Sequence, residues 1–451
     1  MKVTRRIILA VTAGLLTVGT IASVPSPSYA TINGINKLVS YDYTNTNPVG
    51  GSYAAISDDG NFVAFMSANT NVVSGDTNGA TDVFLRDLQT NTTDLVDQST
   101  AGVQTVAGVY TLNGQNDIAI SRTGQYVLFT SRDAHLIDGQ TISGGIIHVY
   151  LRNTVLNTTT LVDTTTSGTI GNDNALVGGV SDDGRFVVFL SHATNLGGGT
   201  NGLTYLYMKD MSTNTLQVLS HSASGTNANN AIGAVSVSCD GSLVVFSSPA
   251  TNLTPSNNGY TSTYLIDLRN GFSITNLTLA ANNTTYPNTM SCNGRYIYLV
   301  STATNLTSDS VDGIASHRFR YDRLTSRYVL VDQSTSGSIS SNGSGTLEYA
   351  GRTISDNGMA LFTTSDKNIV SPASTSFYQV YLRSPEAGTT ELVAINSSGN
   401  EATPVPAGLR TMSISSDGKS IISTSKATNL IPGITTVGTG GEGNIVLSEV
   451  Q

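Results

Sequence analysis

The stretch SDDGRFVVFLS, from Ser181 to Ser191, contains the features from which the fold of this chain follows. A Ser-x-x-Gly turn leads directly into an apolar run that ends at a serine. Asp-Gly and Asn-Gly accept the positive φ of a tight hairpin, so the turn predicts two antiparallel strands joined at this point. The unit occurs seven times, at intervals of 53 to 64 residues, beginning at Ser57, Ser121, Ser181, Ser238, Ser291, Ser355 and Ser415.

Each repeat contains four short strand signals. One precedes the turn and one follows it; an Ala-Thr-Asn-Leu-like loop, as at Ala193 to Leu196, then leads to strands like Asp82 to Leu88 and Thr92 to Val96. Second strands such as Phe62 to Met66 are apolar on both faces, so their sheet must be covered on both sides. Sheets stacked radially around an axis provide that cover, and the repeat therefore predicts a β-propeller.

The two ends of the chain predict how the ring closes. The last unit stops at Asn444 to Val450 without a fourth strand, and Lys37 to Ser40 matches the missing element. We therefore predict an all-β, seven-bladed β-propeller over residues 31–451, built of four-stranded antiparallel blades, with the last blade closed by the N-terminal strand. A β-helix or an open array of sandwiches is the alternative for repeats of this length.

Residues 1–30 have the composition of a secretory signal peptide. Lys2, Arg5 and Arg6 precede an apolar run from Ile7 to Val24, and prolines and small residues follow, so we expect cleavage after Ala30. An uncleaved anchor is the alternative, because the run approaches the roughly 20 residues that span a bilayer. No second apolar segment follows, so we expect a secreted or periplasmic protein with no membrane span after cleavage.

The charge balance argues against nucleic-acid binding. The chain has 31 acidic and 22 basic residues, a formal net charge of −9. Loss of the three basic residues of the leader leaves 19 basic residues and a net charge of −12. A surface this acidic repels phosphate backbones. Hydrophobic residues make up 39% of the chain and recur regularly, so the sequence does not indicate disorder.

The repeats resemble those of a known family. The Ser-Asp-Asp-Gly turn, the Ala-Thr-Asn-Leu loop and the stretch from Asp76 to Leu88 resemble the TolB-like, or WD-repeat-like, propeller repeats of bacterial exported proteins. The resemblance covers about residues 36–451 and implies a periplasmic or secreted protein-interaction module. TolB carries an N-terminal α/β domain before its propeller; we expect none here, so the resemblance does not extend to the Tol-Pal envelope system.

The sequence lacks the common signatures of catalysis. The G-x-S-x-G elbow is absent, and no H-E-x-x-H pair or repeated His beside a carboxylate is found. We interpret the histidines as isolated, partly exposed side chains and predict that the protein is not an enzyme. The alternative, a propeller-based lyase or hydrolase acting on a polysaccharide or peptide, needs groups converging at one mouth of the channel. The five histidines are His135, His148, His192, His221 and His317.

One segment has the character of a metal site. Asp76, Asn78 and Asp82 place oxygen donors at alternate positions around a glycine turn, a pattern that calcium accepts. The full pattern occurs once, so a repeated calcium array is not predicted. The alternative is an ordinary Asx turn leading into the third strand, and otherwise we expect no cofactor.

The two cysteines occupy equivalent positions. Cys239 and Cys292 each follow the anchor serine of consecutive repeats. In an oxidising compartment they form a disulfide if their Cα atoms lie about 4.4 to 6.8 Å apart. The alternative is a pair of buried free thiols.

Three charged residues, Asp117, Arg352 and Arg410, fall on predicted inner strands and are expected to line a water-filled channel. Together these features predict a non-enzymatic scaffold that presents a loop-rich face to a protein or glycan partner. The chain has no Trp, so Tyr and Phe are the aromatic side chains left for stacking on sugars.

Overall fold

The computed structural model describes residues 32–106, 108–109, 118–142, 144–199, 201–269, 271–341, 351–370, 379–403, 411–434 and 442–451. These residues form strands and no helix, and none of their segments is a helix able to cross a bilayer. The predicted signal peptide, residues 1–30, lies outside them. The strands are β1 (Ile32–Leu38), β2 (Ser52–Ile56), β3 (Phe62–Ser67), β4 (Asp82–Asp87), β5 (Thr92–Leu95), β6 (Ile118–Ile120), β7 (Tyr126–Ser131), β8 (His148–Asn153), β9 (Thr158–Leu161), β10 (Ala175–Val180), β11 (Phe186–Ser191), β12 (Tyr205–Asp210), β13 (Thr215–Val218), β14 (Gly233–Val237), β15 (Leu243–Ser248), β16 (Ser262–Asp267), β17 (Ser273–Asn276), β18 (Thr285–Met290), β19 (Tyr296–Ser301), β20 (His317–Asp322), β21 (Arg327–Leu330), β22 (Ala360–Thr364), β23 (Gln379–Ser384), β24 (Thr389–Leu392), β25 (Met412–Ile414), β26 (Ser420–Ser425) and β27 (Asn444–Val450).

These strands form seven antiparallel sheets, one for each repeat. Blades 1 to 5 comprise β2–β5, β6–β9, β10–β13, β14–β17 and β18–β21. Blade 6 has β22, β23 and β24 among the described residues, and an antiparallel bridge from Ile354 to Ala360 continues it toward the axis. Blade 7 has the order β25, β26, β27, β1. Each Ser-x-x-Gly turn joins an inner strand to the next strand outward, as predicted.

The blades are arranged in a ring. The inner strands β2, β6, β10, β14 and β18 contact one another in succession, and β25 contacts both β22 and β2. Between blades 5 and 6, the N–H of Thr353 donates to Oγ1 of Thr289 at 3.2 Å. The predicted seven-bladed propeller is therefore confirmed, and the β-helix and the open array of sandwiches are excluded.

The N-terminal strand closes the ring. β1 pairs antiparallel with β27, with Lys37 opposite Leu447 and Leu38 opposite Val446. The N–H of Val39 then donates to the carbonyl of Ile445 at 2.8 Å. The closure predicted from Lys37 to Ser40 is confirmed, and β1 extends it back to Ile32.

Aromatic pairs fill the blades. In five blades an aromatic residue of the second strand lies opposite one of the third, with ring centroids 5.2 to 5.7 Å apart. Cross-strand aromatic pairs stabilise a sheet beyond the area they bury. These rings are fully or almost fully buried, which explains the apolar second strands. The pairs are Phe65–Phe84, Phe129–Tyr150, Phe189–Tyr207, Phe246–Tyr264 and Phe362–Tyr381.

A basic residue on the third strand joins neighbouring blades. Nζ of Lys209, in blade 3, donates to the carbonyl of Thr164, in blade 2, at 2.9 Å. Arg152 reaches the carbonyl of Ser99 in blade 1 in the same way, and Arg383 reaches that of Ser334 in blade 5. The cation in the recurring third-strand motif is therefore a structural link between blades.

Candidate functional site

The seven anchor turns form one mouth of the axial channel. In each turn that begins Ser-x-Asp or Ser-x-Asn, the serine hydroxyl donates to the side chain two residues later, as Ser181 does to Asp183 at 2.6 Å. The same hydroxyl accepts the N–H that starts the next strand, at 2.9 Å from Phe186. This leaves the residue after each serine free to face its neighbour in the next blade.

Hydrogen bonds between neighbouring anchor turns close a circle around the axis, and we call the residues that follow the seven anchor serines the axial ring. Asp182 N–H donates to Cys239 O at 2.8 Å, and Ser416 N–H donates to Asp58 O at 2.9 Å. Arg122 N–H donates to Oδ1 of Asp182 at 3.1 Å. Similar bonds join the other blades, so the ring fixes the spacing of its side chains. Its members are Asp58, Arg122, Asp182, Cys239, Cys292, Asp356 and Ser416.

The two cysteines lie next to each other in this ring. Their Cα atoms are 4.8 Å apart and a disulfide links them. The N–H of Cys239 also donates to the carbonyl of Cys292, at 2.9 Å. The distance between equivalent turns of adjacent blades therefore falls inside the range that a disulfide tolerates.

Arg352 fills the middle of the ring. Its guanidinium extends from blade 6 and places Nε 3.0 Å from Oδ1 of Asp58 in blade 1. Nη1 donates to the carbonyls of Met290, at 2.6 Å, and Val237, at 3.1 Å. The Arg352 side chain is 16% exposed and that of Asp58 is 4% exposed. Arg352 thus faces the axis as predicted, but in a largely buried ion pair and not as a solvated charge; Asp117 and Arg410 lie outside the described residues.

The surroundings of the axial ring shift the pKa values of two of its aspartates. Burial raises the pKa of Asp58, and the charge and hydrogen bond of Arg352 oppose that rise. Burial, together with the nearby charge of Asp58, raises the pKa of Asp182 to about 6. Asp182 is therefore an acid that titrates near neutral pH, where most aspartates are fully ionised.

The space at the axis is small. The cavity beside Asp58 and Arg352 has a volume of about 60 Å³. That is room for a few water molecules and far less than the roughly 300–1,000 Å³ of a typical ligand pocket. This cavity is therefore too small for a sugar or a peptide.

Two histidines differ from the interpretation based on sequence. His148 and His317 begin β8 and β20 and are 1% exposed, not partly exposed. Nδ1 of His148 lies 2.7 Å from Oδ2 of Asp163, and Nδ1 of His317 lies 3.0 Å from Oδ2 of Asp332. Burial lowers the pKa of His317, but Asp332 and Asp312 together outweigh burial and the net shift is upward. A His–carboxylate pair does repeat, because hairpin pairing joins residues 15 positions apart.

These pairs are structural. The aspartate of each pair also accepts the N–H of the residue after the histidine, at 3.1 Å from Val149 and 3.0 Å from Arg318. The pair therefore pins the start of the third strand to the end of the fourth. Of the other three histidines, His135 is mainly exposed and His221 stacks on Phe272.

The residues predicted to bind calcium lie at the start of β4. Asp82 is fully buried and Asp76, in the preceding loop, is 8% exposed. Nδ2 of Asn78 donates to Oδ1 of Asp82 at 2.8 Å and to the carbonyl of Thr105 at 2.9 Å. Oδ1 of Asn78 accepts the N–H of Ala80 at 2.8 Å. The structure thus brings the two acids together and uses the Asn78 side chain to hold the loop.

A third acid, missed by the sequence analysis, completes this group. Asp97 follows β5, is fully buried, and accepts the N–H of Val83 at 2.9 Å. Asp82 lies close enough to both Asp97 and Asp76 for each of them to influence its pKa. Burial is the largest cause raising the pKa of all three acids, and the charge of Asp82 adds to it for the other two. We call Asp76, Asp82 and Asp97 the blade 1 acid cluster.

An open cleft lies at the periphery of blades 6 and 7, and residues 334–336 of blade 5 form part of its wall. Its volume is about 1140 Å³. Hydroxyl and amide side chains dominate the wall, with Glu391 and Glu401 as its acids. Oε2 of Glu391 accepts the N–H of Ile32 at 2.8 Å, so β1 forms part of the wall. This blade 6–7 cleft is lined by Ile32, Ser334, Thr335, Ser336, Asn368, Ile369, Val370, Thr390, Glu391, Leu392, Ile395, Gly399, Asn400, Glu401, Thr403 and Asn429.

No protein-family model matches the chain, and no curated protein matches it either. Solved propellers are similar to it, including both repeat classes that the sequence resembles. Putative TolB from Agrobacterium tumefaciens is 15% identical, with a TM-score of 0.38 over 63% of this chain and 81% of that one. The WD40 repeats of RRP9 are 8% identical, with a TM-score of 0.48 over 94% and 99%. Oligogalacturonate lyase from Vibrio parahaemolyticus is 11% identical, with a TM-score of 0.48 over 89% and 90%. Identities and scores this low carry no functional argument, and the propeller assignment rests on the blades themselves.

Proposed function

We propose that the protein is a non-enzymatic binding scaffold, exported to the periplasm or the extracellular space, that holds a protein or glycan partner in the blade 6–7 cleft. The observation that supports this proposal is the size and lining of the cleft. Its volume of about 1140 Å³ is at least that of a typical ligand pocket. The signal peptide expected at residues 1–30 is the basis for export.

The lining indicates the chemistry of the partner. Among the described lining residues, Glu391 and Glu401 are the only ionisable side chains, so the wall is acidic. Serine, threonine and asparagine side chains supply donors and acceptors, while Ile369, Val370 and Leu392 supply apolar surface. We therefore expect an uncharged or basic, hydrogen-bonding partner, and neither nucleic acid nor another polyanion.

The proposal is tested by crosslinking at the cleft. A photoreactive benzoylphenylalanine placed at Asn400 in the producing cell should capture a defined partner. The control position is Thr226, which is exposed in the equivalent turn of blade 3: the N–H of Ser222 donates to the carbonyl of Thr226 just as that of Asn396 donates to the carbonyl of Asn400. Because the two turns share geometry, any difference between them reports on the cleft.

A glycan partner is tested in parallel with a glycan array. The substitution Asn400→Trp should block the cleft and reduce binding, whereas Thr226→Trp should leave binding unchanged. Equal capture and equal binding at both positions would contradict the proposal, as would an absence of both crosslinks and array signals.

The two glutamates define the test of the enzyme alternative. A lyase or hydrolase acting in this cleft needs a titratable group, and Glu391 and Glu401 are the candidates. Burial raises the pKa of Glu391, the direction a general acid requires. The wild-type protein would then cleave a glycan that binds on the array, and cleavage would be lost in Glu391→Gln or Glu401→Gln. That result would show that the protein is an enzyme and would overturn the scaffold proposal. We expect binding without cleavage.

A further inference from the structure

Blade 1 departs from the pairing seen in blades 2 and 5. In those blades the third strand begins with His148 or His317, which faces the buried carboxylate that follows the fourth strand. In blade 1 the corresponding residue is Asp82, and it faces Asp97. The histidine imidazole, which can donate a hydrogen bond and carry a positive charge, is thus replaced in blade 1 by a second carboxylate.

Hydrogen-bond donors compensate for this replacement only in part: Nδ2 of Asn78 donates to Oδ1 of Asp82. The Thr105 hydroxyl lies 3.2 Å from Oδ1 of Asp82 and 3.0 Å from Oδ2 of Asp97, and its single hydrogen can serve only one of them. Oδ2 of Asp82 is buried and has no hydrogen-bond partner among the described residues. A buried carboxylate without partners is costly, so this oxygen requires a proton or a cation.

Asp76 adds a third acid, next to Asp82. Only 8% of the surface of Asp76 is exposed, so the residue is more than nine-tenths buried. Neither of its carboxylate oxygens has a hydrogen-bond partner in the described part of the chain. The N–H of Asn78 lies near it and lowers its pKa without reaching hydrogen-bond geometry. No salt bridge between described residues includes any of the three acids.

We propose that the blade 1 acid cluster binds one Ca²⁺, with Asp76 and Asp82 as its carboxylate ligands. Calcium takes oxygen ligands from flexible loops, and a divalent charge supplies what the histidine supplies in blades 2 and 5. The two ligands are carboxylates, with no imidazole or thiolate, so zinc and copper are disfavoured. Asn78, expected as a ligand from sequence, instead donates to Oδ1 of Asp82 and holds the loop. The bound ion ties the loop around Asp76 to the start of β4.

The test uses the purified protein stripped of metal with EDTA. Isothermal titration with CaCl₂ should show one saturable site per chain, and CaCl₂ should raise the Tm by a few degrees relative to EDTA, because an ion that binds only the folded state stabilises it. MgCl₂ should bind more weakly, since Mg²⁺ demands a compact octahedral site. Asp76→Asn should abolish binding while leaving the circular dichroism spectrum unchanged.

Asp82→His is the decisive variant because it recreates the pairing of blades 2 and 5. It should bind no calcium, and in EDTA its Tm should equal or exceed that of the wild-type protein. A Tm this high would show that the variant is folded and that it fails to bind because a calcium ligand is missing. Asp173→Asn removes an exposed carboxylate in the loop between blades 2 and 3 and is the matched control, expected to bind like the wild type. A wild-type protein without a calcium site, or an Asp82→His variant that binds calcium normally, would overturn the proposal and leave three acids neutralised by protons.

Discussion

Arg352 of blade 6 and Asp58 of blade 1 form an ion pair across the propeller axis, with Nε and Oδ1 3.0 Å apart. The arginine also donates to carbonyls of blades 4 and 5, so one side chain ties four blades together. Loops on the outer rim make no comparable connection between distant parts of the ring in the described residues. The stability of the whole propeller should therefore depend on this pair.

Arg352→Met should destabilise the protein strongly at pH 8. Loss of the guanidinium leaves the Asp58 carboxylate buried without its partner, which costs about 3–5 kcal/mol. Burial already raises the pKa of Asp58, so protonation should relieve much of the cost at pH 5. Urea unfolding at both pH values measures the difference, and Asp58→Asn/Arg352→Met should lose less than the sum of the single variants. Equal losses at both pH values would contradict this account.

Asp182→Asn should stabilise the protein at pH 7.5 and have no such effect near pH 4. The pKa of Asp182 is raised to about 6 in the folded state, from 3.8 for the unperturbed group. Between these values the unfolded chain releases a proton that the folded chain keeps, so stability falls as pH rises through this window. The asparagine removes that loss and can still accept the N–H of Arg122. Thermal unfolding at pH 4, 6 and 7.5 checks the prediction, and a constant offset at all three pH values would refute it.

Reduction of the disulfide should destabilise the propeller without changing its topology. Cys239 and Cys292 are 53 residues apart, for which loop closure contributes about 4 kcal/mol. Guanidinium chloride unfolding with and without dithiothreitol measures this contribution. The Cys239→Ala/Cys292→Ala variant should show the reduced stability under both conditions, and a thiol assay of the denatured wild-type protein should find no free thiol.

Deletion of residues 31–40 should abolish cooperative folding. Without β1, the edge of β27 is unpaired. The apolar contacts of Leu38 and Val39 are also lost, and these contacts matter because both residues are buried in the intact ring. Unpaired edges favour aggregation, so size-exclusion chromatography should show oligomers. Lys37→Ala is the control: its ion pair with Glu449 is exposed, and its removal should change stability by no more than about 1 kcal/mol. A monomeric, cooperatively folding deletion variant would show that six complete blades suffice.

The architecture was predictable because local signals repeat. Each Ser-x-x-Gly turn specifies a hairpin by itself, and seven copies specify the number of blades. The unmatched end at Val450 and the unmatched strand at Lys37 then specify the closure. None of these inferences requires knowledge of a contact between distant side chains.

The buried pairs were harder to predict because each depends on register. Asp97 lies 15 positions after Asp82, and only the pairing of β4 with β5 brings them together. A signal did exist: Leu-Val-Asp ends the fourth strand at Asp97, Asp163 and Asp332, in the same repeats whose third strand begins with Asp82, His148 and His317. Aligning the repeats by this triplet would have paired each aspartate with its partner.

The position of Arg352 at the axis was predicted, but its buried ion pair could not be inferred from the repeats, because the other described inner strands offer no equivalent arginine. Its partners lie in blades 1, 4 and 5, and its conformation depends on the width of the axis. That width results from the packing of all the blades at once.

The pairing of β1 with β27 has a consequence for how the molecule is made. The Ser448 hydroxyl donates a hydrogen bond to Oδ1 of Asn36 across 412 positions of the chain, so β1 stays without its neighbour until β27 has been synthesised. Contacts this distant form late and slowly. The nascent polypeptide therefore remains an open arc while the blades between them are made, and the arrival of β27 closes the ring.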